Sequence, residues 1–328
     1  MQADPRLPMR RIFGEHLVRL GAEHPNLVVL DADVSSSTMT RLFGDRYPER
    51  FINCGIAEAN MVSVAAGIAT TGLRPVASSF AYLLATRAAD QVRSQVALTR
   101  LPVILAGGYA GLSDFADGAS HQSIEDMAFF LAMPNMTVLC PGDATETELA
   151  LEAALRHDGP VFLRLSRAEV PRLAYPGEFS IGRAAIRQEG TDVALVVTGQ
   201  ILEDALQAAE LLDLDGIKAR VVGLPTLKPL DSESIQRAAT ECGVVVTCEE
   251  SSLVGGLGSL VCTLLSSQCP TPVVMVGIAD RFGQSGDYAG LRHEYGLTAS
   301  HIRNAALAAV GMKEHRHDSA SGRAAGVQ

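Results

Sequence analysis

The chain has 328 residues, a length that favours about two domains. Hydrophobic residues make up 47% of it and charged residues 20%, as in a globular protein with enough material for a core. The net charge of -10 and the lack of any basic cluster argue against a nucleic-acid-binding surface.

Neither the amino terminus nor the apolar runs indicate a membrane protein. The start, MQADPRLPMRRIFGEHL, lacks the apolar run of a signal peptide, and no apolar segment approaches the roughly 20 residues that span a bilayer. The six cysteines include no CxxC pair, and each lies beside apolar residues, as buried thiols in a reducing compartment do. We therefore expect a cytoplasmic protein with no membrane or nucleic-acid partner.

Short apolar runs alternate with helical patterns through the first half of the chain. The predicted strands are Leu27–Leu30, Arg50–Asn53, Pro75–Ala77, Val103–Ala106, Thr137–Leu139 and Val161–Arg164. The predicted helices are Pro8–His24, Ala57–Thr70, Ala85–Thr99, Ile124–Ala132 and Thr145–His157. Because continuous apolar strands alternate with helices, we expect a mainly parallel sheet covered by helices on both faces.

A second series of the same kind follows a polar break at Arg172–Gly190. Its predicted strands are Asp192–Thr198, Lys218–Val222, Gly243–Cys248 and Val273–Gly277, and its predicted helices are Ile201–Leu212, Asp231–Glu241, Gly258–Ser266 and Thr298–Val310. We interpret the chain as an α/β protein with a first domain over residues 1–178 and a smaller one over 190–312. Residues 313–328 lack apolar periodicity and are expected to be disordered.

Functional residues are expected in four turns of the first domain. In open parallel sheets, ligands gather at the carboxyl ends of the strands. The turns that follow the predicted strands and carry polar side chains are Asp31–Ser37, Cys54–Asn60, Gly107–His121 and Ser166–Arg167.

Glu58 is the only charged side chain between Ile52 and Leu73. It falls in the first turn of a predicted helix, where a carboxylate can simply complement the helix dipole, worth about 0.3–1 kcal/mol. The helix EANMVSVAAGIAT, however, is small or apolar nearly all round, which predicts burial or packing against another subunit. A buried carboxylate at its start is suited to share a proton with a basic nitrogen of a ligand.

The long loop Gly107–His121 carries Asp114, Asp117 and His121. Asx-turns in a polar surface loop would account for the aspartates. Loops beyond about 12–15 residues are usually functional or disordered, so the length favours a role. No known ligand spacing fits a metal, so none is assigned, and hydrogen bonds to a polyhydroxylated or carbonyl substrate are the sharper hypothesis.

Two further motifs lie at strand ends. Arg167 ends the run VFLRLSR, where an arginine either binds an anion such as phosphate or pairs with a surface acid. The turn Gly255–Gly258 reads GGLG but lacks the Lys and Ser/Thr of a phosphate-binding P-loop.

Several segments resemble the pyrimidine-binding domain of transketolases, in the same order and spacing. They are FINCGIAEANMVSVAAGIA, SSFAYLLATRAADQVR, DFADGASHQSIEDMAFFLAMPNMTVLCPGDATETE and GPVFLRLSR. The segments EESSLVGGLGS, GIADRFGQSGDYAGL and YGLTASHI resemble the carboxy-terminal domain of the same family. The resemblance runs from about residue 8 to residue 312, nearly the whole chain.

The resemblance implies thiamine diphosphate (ThDP) chemistry. In this family a glutamate hydrogen-bonds N1′ of the cofactor's aminopyrimidine, and the matching residue is Glu58. Phe80 is implied to pack on the aminopyrimidine. The family's second aromatic falls at Leu83, with Tyr82 beside it, so either can complete the pocket, and Ile56 is implied to join the cofactor site.

The resemblance also implies a substrate site. Asp117 and His121 match residues that hydrogen-bond the hydroxyls and carbonyl of the substrate, and His121 is implied to assist proton transfer. Arg167 matches the arginine of an LSR motif that grips a sugar phosphate. Ser36 lies in ADVSSS, a loose version of the family's ADLAPS-like turn.

Two departures from the family pattern shape the expectation. Many transketolases carry a phosphate-binding histidine where this chain has Gly107 by alignment, so the donor set differs from that for an ordinary pentose phosphate. The GDG and paired-asparagine signature that binds diphosphate and Mg²⁺ does not occur, and Gly142-Asp143-Ala144 comes nearest to it. The resemblance therefore implies the carboxy-terminal subunit of a split transketolase, with an amino-terminal partner holding Mg²⁺ and diphosphate in an α2β2 heterotetramer.

The implied activity is transfer of a two-carbon ketol unit from a ketose (phosphate) donor to an aldehyde acceptor. Deoxyxylulose-phosphate synthase and the β subunit of 2-oxoacid dehydrogenase E1 share the scaffold and remain alternatives. A non-catalytic partner subunit is a third alternative, which the joint presence of Glu58, Phe80, Asp117, His121 and Arg167 disfavours.

Overall fold

Two sheets organise the chain, and helices cover both. The computed structural model describes the backbone of residues 6–324 and the side chains of residues 6–313. The strands are β1 (Leu7–Pro8), β2 (Leu27–Asp31), β3 (Phe51–Asn53), β4 (Arg74–Phe80), β5 (Ile104–Gly108), β6 (Thr137–Leu139), β7 (Val161–Arg164), β8 (Glu169–Val170), β9 (Ala185–Gln188), β10 (Val193–Val197), β11 (Ala219–Gly223), β12 (Thr226–Lys228), β13 (Val245–Ser252) and β14 (Val273–Ile278).

The helices alternate with these strands through most of the chain. They are α1 (Met9–Glu23), α2 (Ser35–Thr38), α3 (Arg41–Arg46), α4 (Glu58–Ala69), α5 (Ala81–Ala85), α6 (Ala89–Gln91), α7 (Asp126–Ala132), α8 (Ala144–Arg156), α9 (Leu202–Leu214), α10 (Ser232–Cys242), α11 (Leu257–Gln268), α12 (Tyr288–Glu294) and α13 (Ala299–Ala324). The predicted α/β class, with mainly parallel sheets flanked by helices, is confirmed.

The larger sheet has seven strands in the order β12-β6-β7-β5-β4-β2-β3. All its pairings are parallel except that of β12 with β6. Alternate residues of β2 enter separate cores, since Val28 and Leu30 pack in one cluster and Leu27 and Val29 in another. Both faces of the strand are thus buried, which is why it reads as an uninterrupted apolar run.

The smaller sheet has the order β14-β13-β10-β11-β9, and only β9 runs antiparallel. Strand β9 lies inside Arg172–Gly190, which the sequence predicted as a break, and β12 belongs by sequence to the second domain but adds to the larger sheet. Both are short edge strands with polar residues, so they lack the apolar run that revealed the central strands. The domain boundaries near 178 and 190 stay a prediction.

The single helix predicted over Ala85–Thr99 is wrong. The chain forms α5, then α6, then a π-helical turn over Val92–Ala97. The Thr86 hydroxyl donates to the Tyr82 carbonyl oxygen at 2.6 Å, and such local bonds compete with the helix ladder. The interruption matters for the site described below, because it carries Arg87 to the start of α4.

The carboxy-terminal helix α13 is longer than predicted. Ile302, Ala306 and Ala309 are buried on its first turns and anchor it to the second domain. We expected disorder from residue 313, but the helix continues to Ala324. Extending an existing helix avoids the cost of nucleation, which a search for apolar periodicity does not register. Residues 325–328 lie outside the described part.

No helix within residues 6–324 combines the length and apolar character needed to cross a membrane. The six cysteines are all free, and Cys140, Cys242 and Cys248 are buried. The prediction of free thiols is confirmed, but their predicted burial is wrong for Cys54, Cys262 and Cys269, which are half-buried.

Candidate active site

The carboxyl ends of five neighbouring parallel strands form one edge of the larger sheet. Strands β7, β5, β4, β2 and β3 lie side by side in that order. The predicted turns follow these strands, so residues far apart in sequence meet along this edge.

Glu58 is the first residue of α4 and is almost completely buried, with 1% of its surface exposed. The Ser79 hydroxyl donates to its Oε1 at 3.2 Å, and Arg87 Nη1 donates to its Oε2 at 2.8 Å. The Arg87 side chain is 47% exposed, so the buried carboxylate is held by a cation that reaches in from solvent. Sequence reasoning missed Arg87, whose position depends on the break between α5 and α6.

An aromatic wall stands next to this carboxylate. Phe80, at the end of β4, has its ring centroid 4.6 Å from that of Tyr109 and 5.8 Å from that of His121. The Tyr82 ring lies 6.0 Å from His121, whereas Leu83 turns inward and is 7% exposed. Tyr82 thus lies with the other rings and Leu83 does not, while the choice between them for the cofactor pocket stays a prediction. Ile56 is 74% exposed.

The loop after β5 brings Asp114 and His121 to the same place. His121 is half-buried, and its Nδ1 lies 2.9 Å from the Ser120 hydroxyl oxygen. Asp117 is exposed and close enough to contribute to the raised pKa of Asp114, which burial raises most. Asp114 Oδ1 accepts from Arg167 Nη1 at 2.9 Å, while its buried Oδ2 has no hydrogen-bond partner among the described residues.

Arg167 is therefore not a free cation. Asp114 neutralises part of its charge, and its guanidinium lies 5.3 Å from the Tyr109 ring centroid and 5.1 Å from that of Phe115. The sequence left anion binding and ion pairing open for this arginine, and the pairing is with a buried acid of the loop.

Arg10 of α1 is a second arginine at this edge that sequence reasoning missed. Its Nη1 donates to the Tyr109 hydroxyl at 2.6 Å and to the Ser37 carbonyl oxygen at 2.9 Å. Tyr109 has φ +62°, an unusual conformation for a residue with a side chain, which turns its ring between the two arginines. A cleft of about 410 Å³ lies here, lined by Arg6, Pro8, Arg10, Phe115, Arg167, Ala168, Glu169, Tyr288 and Arg292.

Asp31 fixes the serine-rich turn beside this cleft. It is fully buried and accepts from the Val34 amide at 2.6 Å and from the hydroxyls of Thr38 and Thr40 at 2.7 and 2.8 Å. Burial raises its pKa, and the three donors oppose that shift. Ser36 is exposed on the same turn, whose Ser37 carbonyl oxygen holds Arg10.

The geometry thus gathers most of the predicted site residues. Glu58 is bonded by Ser79, the residue before Phe80 on β4. The Phe80 ring lies next to those of His121 and Tyr109, and the Tyr109 ring lies next to the Arg167 guanidinium. No group of three or more His, Cys, Asp or Glu side chains among the described residues could hold a metal ion. The edge offers a buried acid, an aromatic wall and a positively charged cleft, in that order.

Family models match both halves of the chain. Residues 6–172 match the pyrimidine-binding domain of transketolase, and residues 182–302 match the transketolase carboxy-terminal domain.

Three relatives illustrate the similarity. A chain described as a transketolase C-terminal section from Methanocaldococcus jannaschii is 40% identical over 299 residues, covering 90% of this chain and 93% of the relative. The 6-deoxy-6-sulfo-D-fructose transketolase subunit SqwH of Clostridium sp. is 38% identical over 309 residues, covering 94% and 96%. A 1-deoxy-D-xylulose-5-phosphate synthase of Thermomicrobium roseum is 40% identical over 302 residues, covering 90% of this chain but only 48% of the synthase.

Solved transketolase structures are also similar to this chain. A split-gene transketolase, described as an inactive beta4 tetramer, is similar with a TM-score of 0.85 and 42% identity, covering 94% of this chain and 100% of that one. A transketolase from Pichia stipitis in complex with sedoheptulose 7-phosphate has a TM-score of 0.82 and 25% identity, covering 95% of this chain and 47% of that one.

Proposed function

This chain belongs to the transketolase family, and from that premise we propose that it is the carboxy-terminal subunit of a split, ThDP-dependent transketolase. In the proposed reaction a two-carbon ketol unit passes from a ketose donor to an aldehyde acceptor. The observation that carries the proposal is the buried Glu58 carboxylate beside the aromatic wall at the carboxyl edge of the sheet. Residues 1–178 would form the pyrimidine-binding domain and residues 190–312 the carboxy-terminal domain.

The described side chains fit the pyrimidine end of ThDP. Glu58 provides a buried acceptor for a ring nitrogen that carries a proton, and Phe80 provides an aromatic face. The exposed Ile56 side chain adds apolar surface two residues before Glu58. When bound, ThDP supplies the nucleophilic carbon and the electron sink that cleavage of the ketose C2–C3 bond needs.

Glu58 would hold and transfer a proton at its carboxylate. Burial keeps water away from the carboxylate, which strengthens a hydrogen bond to a ligand nitrogen. Ser79 and Arg87 orient it through side-chain donors that the rest of the fold does not need, since neither bond belongs to a strand ladder or a helix cap.

His121 and Asp117 would bind the hydroxyls and carbonyl of the sugar. The Nδ1 of His121 faces the Ser120 hydroxyl, which leaves Nε2 for a substrate oxygen. The His121 ring meets Phe80 and Tyr82, so a substrate held by it would lie against the aromatic wall. In that position His121 can take or give a proton at a sugar hydroxyl.

Arg10 and Arg167 would bind the anionic end of the donor. In the same cleft Arg6 pairs with Glu203, and Arg292 pairs with Asp204. Among residues 6–313, the side-chain hydrogen bonds of Arg10 go to the neutral oxygens of Ser37 and Tyr109, so its charge is the least compensated of the four arginines there. A phosphate or sulfonate group on the far end of the ketose suits paired guanidinium groups, with exposed Ser36 on the neighbouring turn as a hydroxyl donor.

We propose that an amino-terminal partner subunit holds the diphosphate and Mg²⁺. The M. jannaschii and Clostridium relatives, which this chain covers almost completely, are described as a section and a subunit of transketolases. An α2β2 heterotetramer with two active sites is the assembly this division suggests. A cytoplasmic location belongs to the same proposal, supported by the six free cysteines.

The test is reconstitution. The purified chain is mixed with a candidate amino-terminal subunit that carries the GDG and paired-asparagine signature, together with ThDP and Mg²⁺. We expect a stable complex and ketol transfer from one of a panel of phosphorylated and sulfonated ketoses, with neither subunit active alone. Turnover by this chain without the partner would refute the split-subunit proposal.

A second candidate reaction is that of a 1-deoxy-D-xylulose-5-phosphate synthase. The identity of 40% to the T. roseum synthase favours it, although this chain spans about half the length of that protein. The same reconstituted complex separates the two candidates, because a transketolase consumes a ketose donor and the synthase consumes pyruvate with release of CO2.

A further inference from the structure

The second domain holds the loop that carries Asp117 and His121 at several points between its start and its end. We call residues 109–125 the substrate loop, and we call Glu250 with residues 283–288 the clasp. The substrate loop follows β5 of the larger sheet, while the clasp lies at the end of β13 and in the turn before α12, both in the second domain.

Glu250 holds the first part of the substrate loop. It is 3% exposed, its Oε1 accepts the Leu112 amide at 2.8 Å, and its Oε2 accepts the Tyr288 hydroxyl at 2.7 Å. Burial raises the pKa of Glu250, and the Tyr288 and Leu112 donors oppose that shift. Gly111 has φ +67°, and a Cβ there would overlap the Glu250 carboxylate. The loop backbone thus fits against a buried acid of the other domain.

Gln122, next to His121, ties the far side of the loop. Its Nε2 donates to the Gln284 carbonyl oxygen at 3.0 Å and lies 3.4 Å from the carbonyl oxygens of Leu112 and Asp114. A Cβ on Gly283 would overlap the Gln122 carboxamide, so the clasp backbone approaches this side chain as closely as a glycine allows.

The tip of the loop meets the same turn. The Gly286 amide donates to the Phe115 carbonyl oxygen at 2.9 Å. A Cβ on Gly118, which has φ +75°, would overlap Ser285. Gly118 follows Asp117 directly, so both substrate-binding candidates have a clasp contact at the adjacent residue.

The end of the loop is joined to β13 as well. The Ser251 hydroxyl and the Ser252 amide both donate to the Ile124 carbonyl oxygen at 2.8 Å. Arg164 Nη2 bonds the carbonyl oxygens of Ser123 at 3.2 Å and Glu250 at 3.1 Å. The first domain alone therefore leaves the Leu112 amide and the carbonyl oxygens of Phe115 and Ile124 without the partners that the second domain gives them.

We propose that the clasp positions the substrate loop, so that the second domain sets the placement of Asp117 and His121 against the donor sugar. Gln122 and Glu250 are the positioning residues, and they act through the loop rather than on the substrate. The inference rests on the proposed function for its catalytic consequence. The physical reason is that a long polar loop holds its side chains in a fixed position only when its backbone groups are hydrogen-bonded.

The test compares one variant at a contact between the loop and the clasp with one matched control in the reconstituted enzyme. Gln122→Met keeps the length of the side chain and removes its donors. Thr198→Val is the control, because the buried Thr198 hydroxyl lies 3.4 Å from the carbonyl oxygen of Cys140 in the first domain and donates to that of Leu224 in its own domain at 2.7 Å. Neither acceptor belongs to the substrate loop. Each variant is measured for donor kcat/KM, for ThDP affinity and for amide hydrogen exchange in peptides covering residues 109–125.

We expect Gln122→Met to lower donor kcat/KM by about tenfold to a hundredfold, the scale of a misplacement near 1 Å, with ThDP affinity at the wild-type level. Hydrogen exchange in the substrate loop should rise in this variant and stay at the wild-type rate in Thr198→Val. If Gln122→Met does not fold, Tyr288→Phe removes only the hydroxyl that holds Glu250 and should give the same pattern at smaller amplitude.

Unchanged loop exchange in Gln122→Met, or in Tyr288→Phe where that variant replaces it, would overturn the inference. So would an equal loss of kcat/KM in Thr198→Val, because the effect would then follow general stability. An inactive wild-type assembly would refute the proposed function instead, and the exchange measurement on the full chain would still decide whether the clasp holds the loop.

Discussion

Each domain has a buried glutamate near the carboxyl end of a parallel strand, but the two carboxylates are held by different kinds of donor. In the first domain Glu58 is 1% exposed, and its two donors are the side chains of Ser79 and the half-exposed Arg87. In the second domain Glu249 is fully buried, and its donors are the amides of Leu257 and Gly258 at the start of α11, both at 2.8 Å.

Burial of an acid therefore does not by itself mark a functional site. The Glu249 carboxylate satisfies the free N–H groups at a helix start, so it is part of the fold. The Glu58 carboxylate is paired with side chains that can rotate away, one of them already in contact with solvent. A ligand nitrogen can replace one such donor while the other still orients the carboxylate, and nothing unfolds, which is the property expected of a cofactor contact.

The largest effect that this comparison predicts is the loss of turnover in the Glu58→Gln variant of the reconstituted enzyme. The amide keeps the shape of the side chain but cannot hold the proton, so we expect kcat to fall by about 10²–10⁴-fold, the usual worth of a positioned acid or base. Assembly and thermal unfolding should stay close to wild type, because Arg87 can extend into solvent. Measured turnover near the wild-type rate would remove Glu58 from the chemistry.

Glu249→Gln should change the stability of the fold and leave turnover unchanged, the reverse of what we expect for Glu58→Gln. Burial raises the pKa of Glu249 to about 7 from the ordinary value of 4.5, so the folded chain keeps a proton that the unfolded chain has lost between these pH values. The free energy of unfolding of the wild type should therefore fall by about 3 kcal/mol in total as the pH rises from 4.5 to 7, and Glu249→Gln should lack this decline. Ketol transfer should be unaffected at a pH where both proteins are folded.

Urea unfolding of wild type and Glu249→Gln across this pH range checks the prediction. The pKa of Asp143 is also raised to about 7 by burial, which gives the wild type a second decline of the same sign. The difference between the two proteins isolates the contribution of Glu249, since both retain Asp143. Equal slopes in wild type and variant would show that Glu249 carries no such proton.

The sequence predicted the parts of the site that lie next to apolar runs. Glu58 was visible because it is a lone charge in an apolar helix, and the positions of the central strands followed from their continuous hydrophobic stretches. The resemblance to transketolases added the assignments of Phe80, His121 and Arg167. These features are local, or they are carried by motifs, so they can be read without coordinates.

The missed features depend on contacts between distant residues. Arg87 reaches Glu58 across a helix break, Arg10 reaches Tyr109 across 99 positions, and Asp114 takes part of the charge that Arg167 was expected to offer an anion. The clasp is of the same kind, since Leu112 and Glu250 are 138 positions apart. Periodicity gives no information about such pairings, because either partner alone looks like an ordinary surface residue.

The smallest predicted effect is that of removing Arg87, one of the two donors that hold the Glu58 carboxylate. Arg87→Met keeps the aliphatic stem and removes the cation, leaving the buried carboxylate with the Ser79 hydroxyl at 3.2 Å. We expect donor kcat/KM to fall roughly tenfold through poorer orientation of Glu58. The free energy of unfolding should drop by about 1 kcal/mol, less than for a fully buried pair, because Arg87 is half exposed.

Ser79→Ala is the matched variant for this measurement, because it removes the longer and uncharged of the two bonds. If side-chain donors orient the carboxylate, activity should rank wild type, then Ser79→Ala, then Arg87→Met, and the order of thermal unfolding should be the same. An Arg87→Met enzyme with wild-type kcat/KM would mean that Arg87 only neutralises Glu58 in the absence of ligand. The distinction between the two domains would then rest on the exposure of Arg87 alone, and its role in orienting Glu58 would be withdrawn.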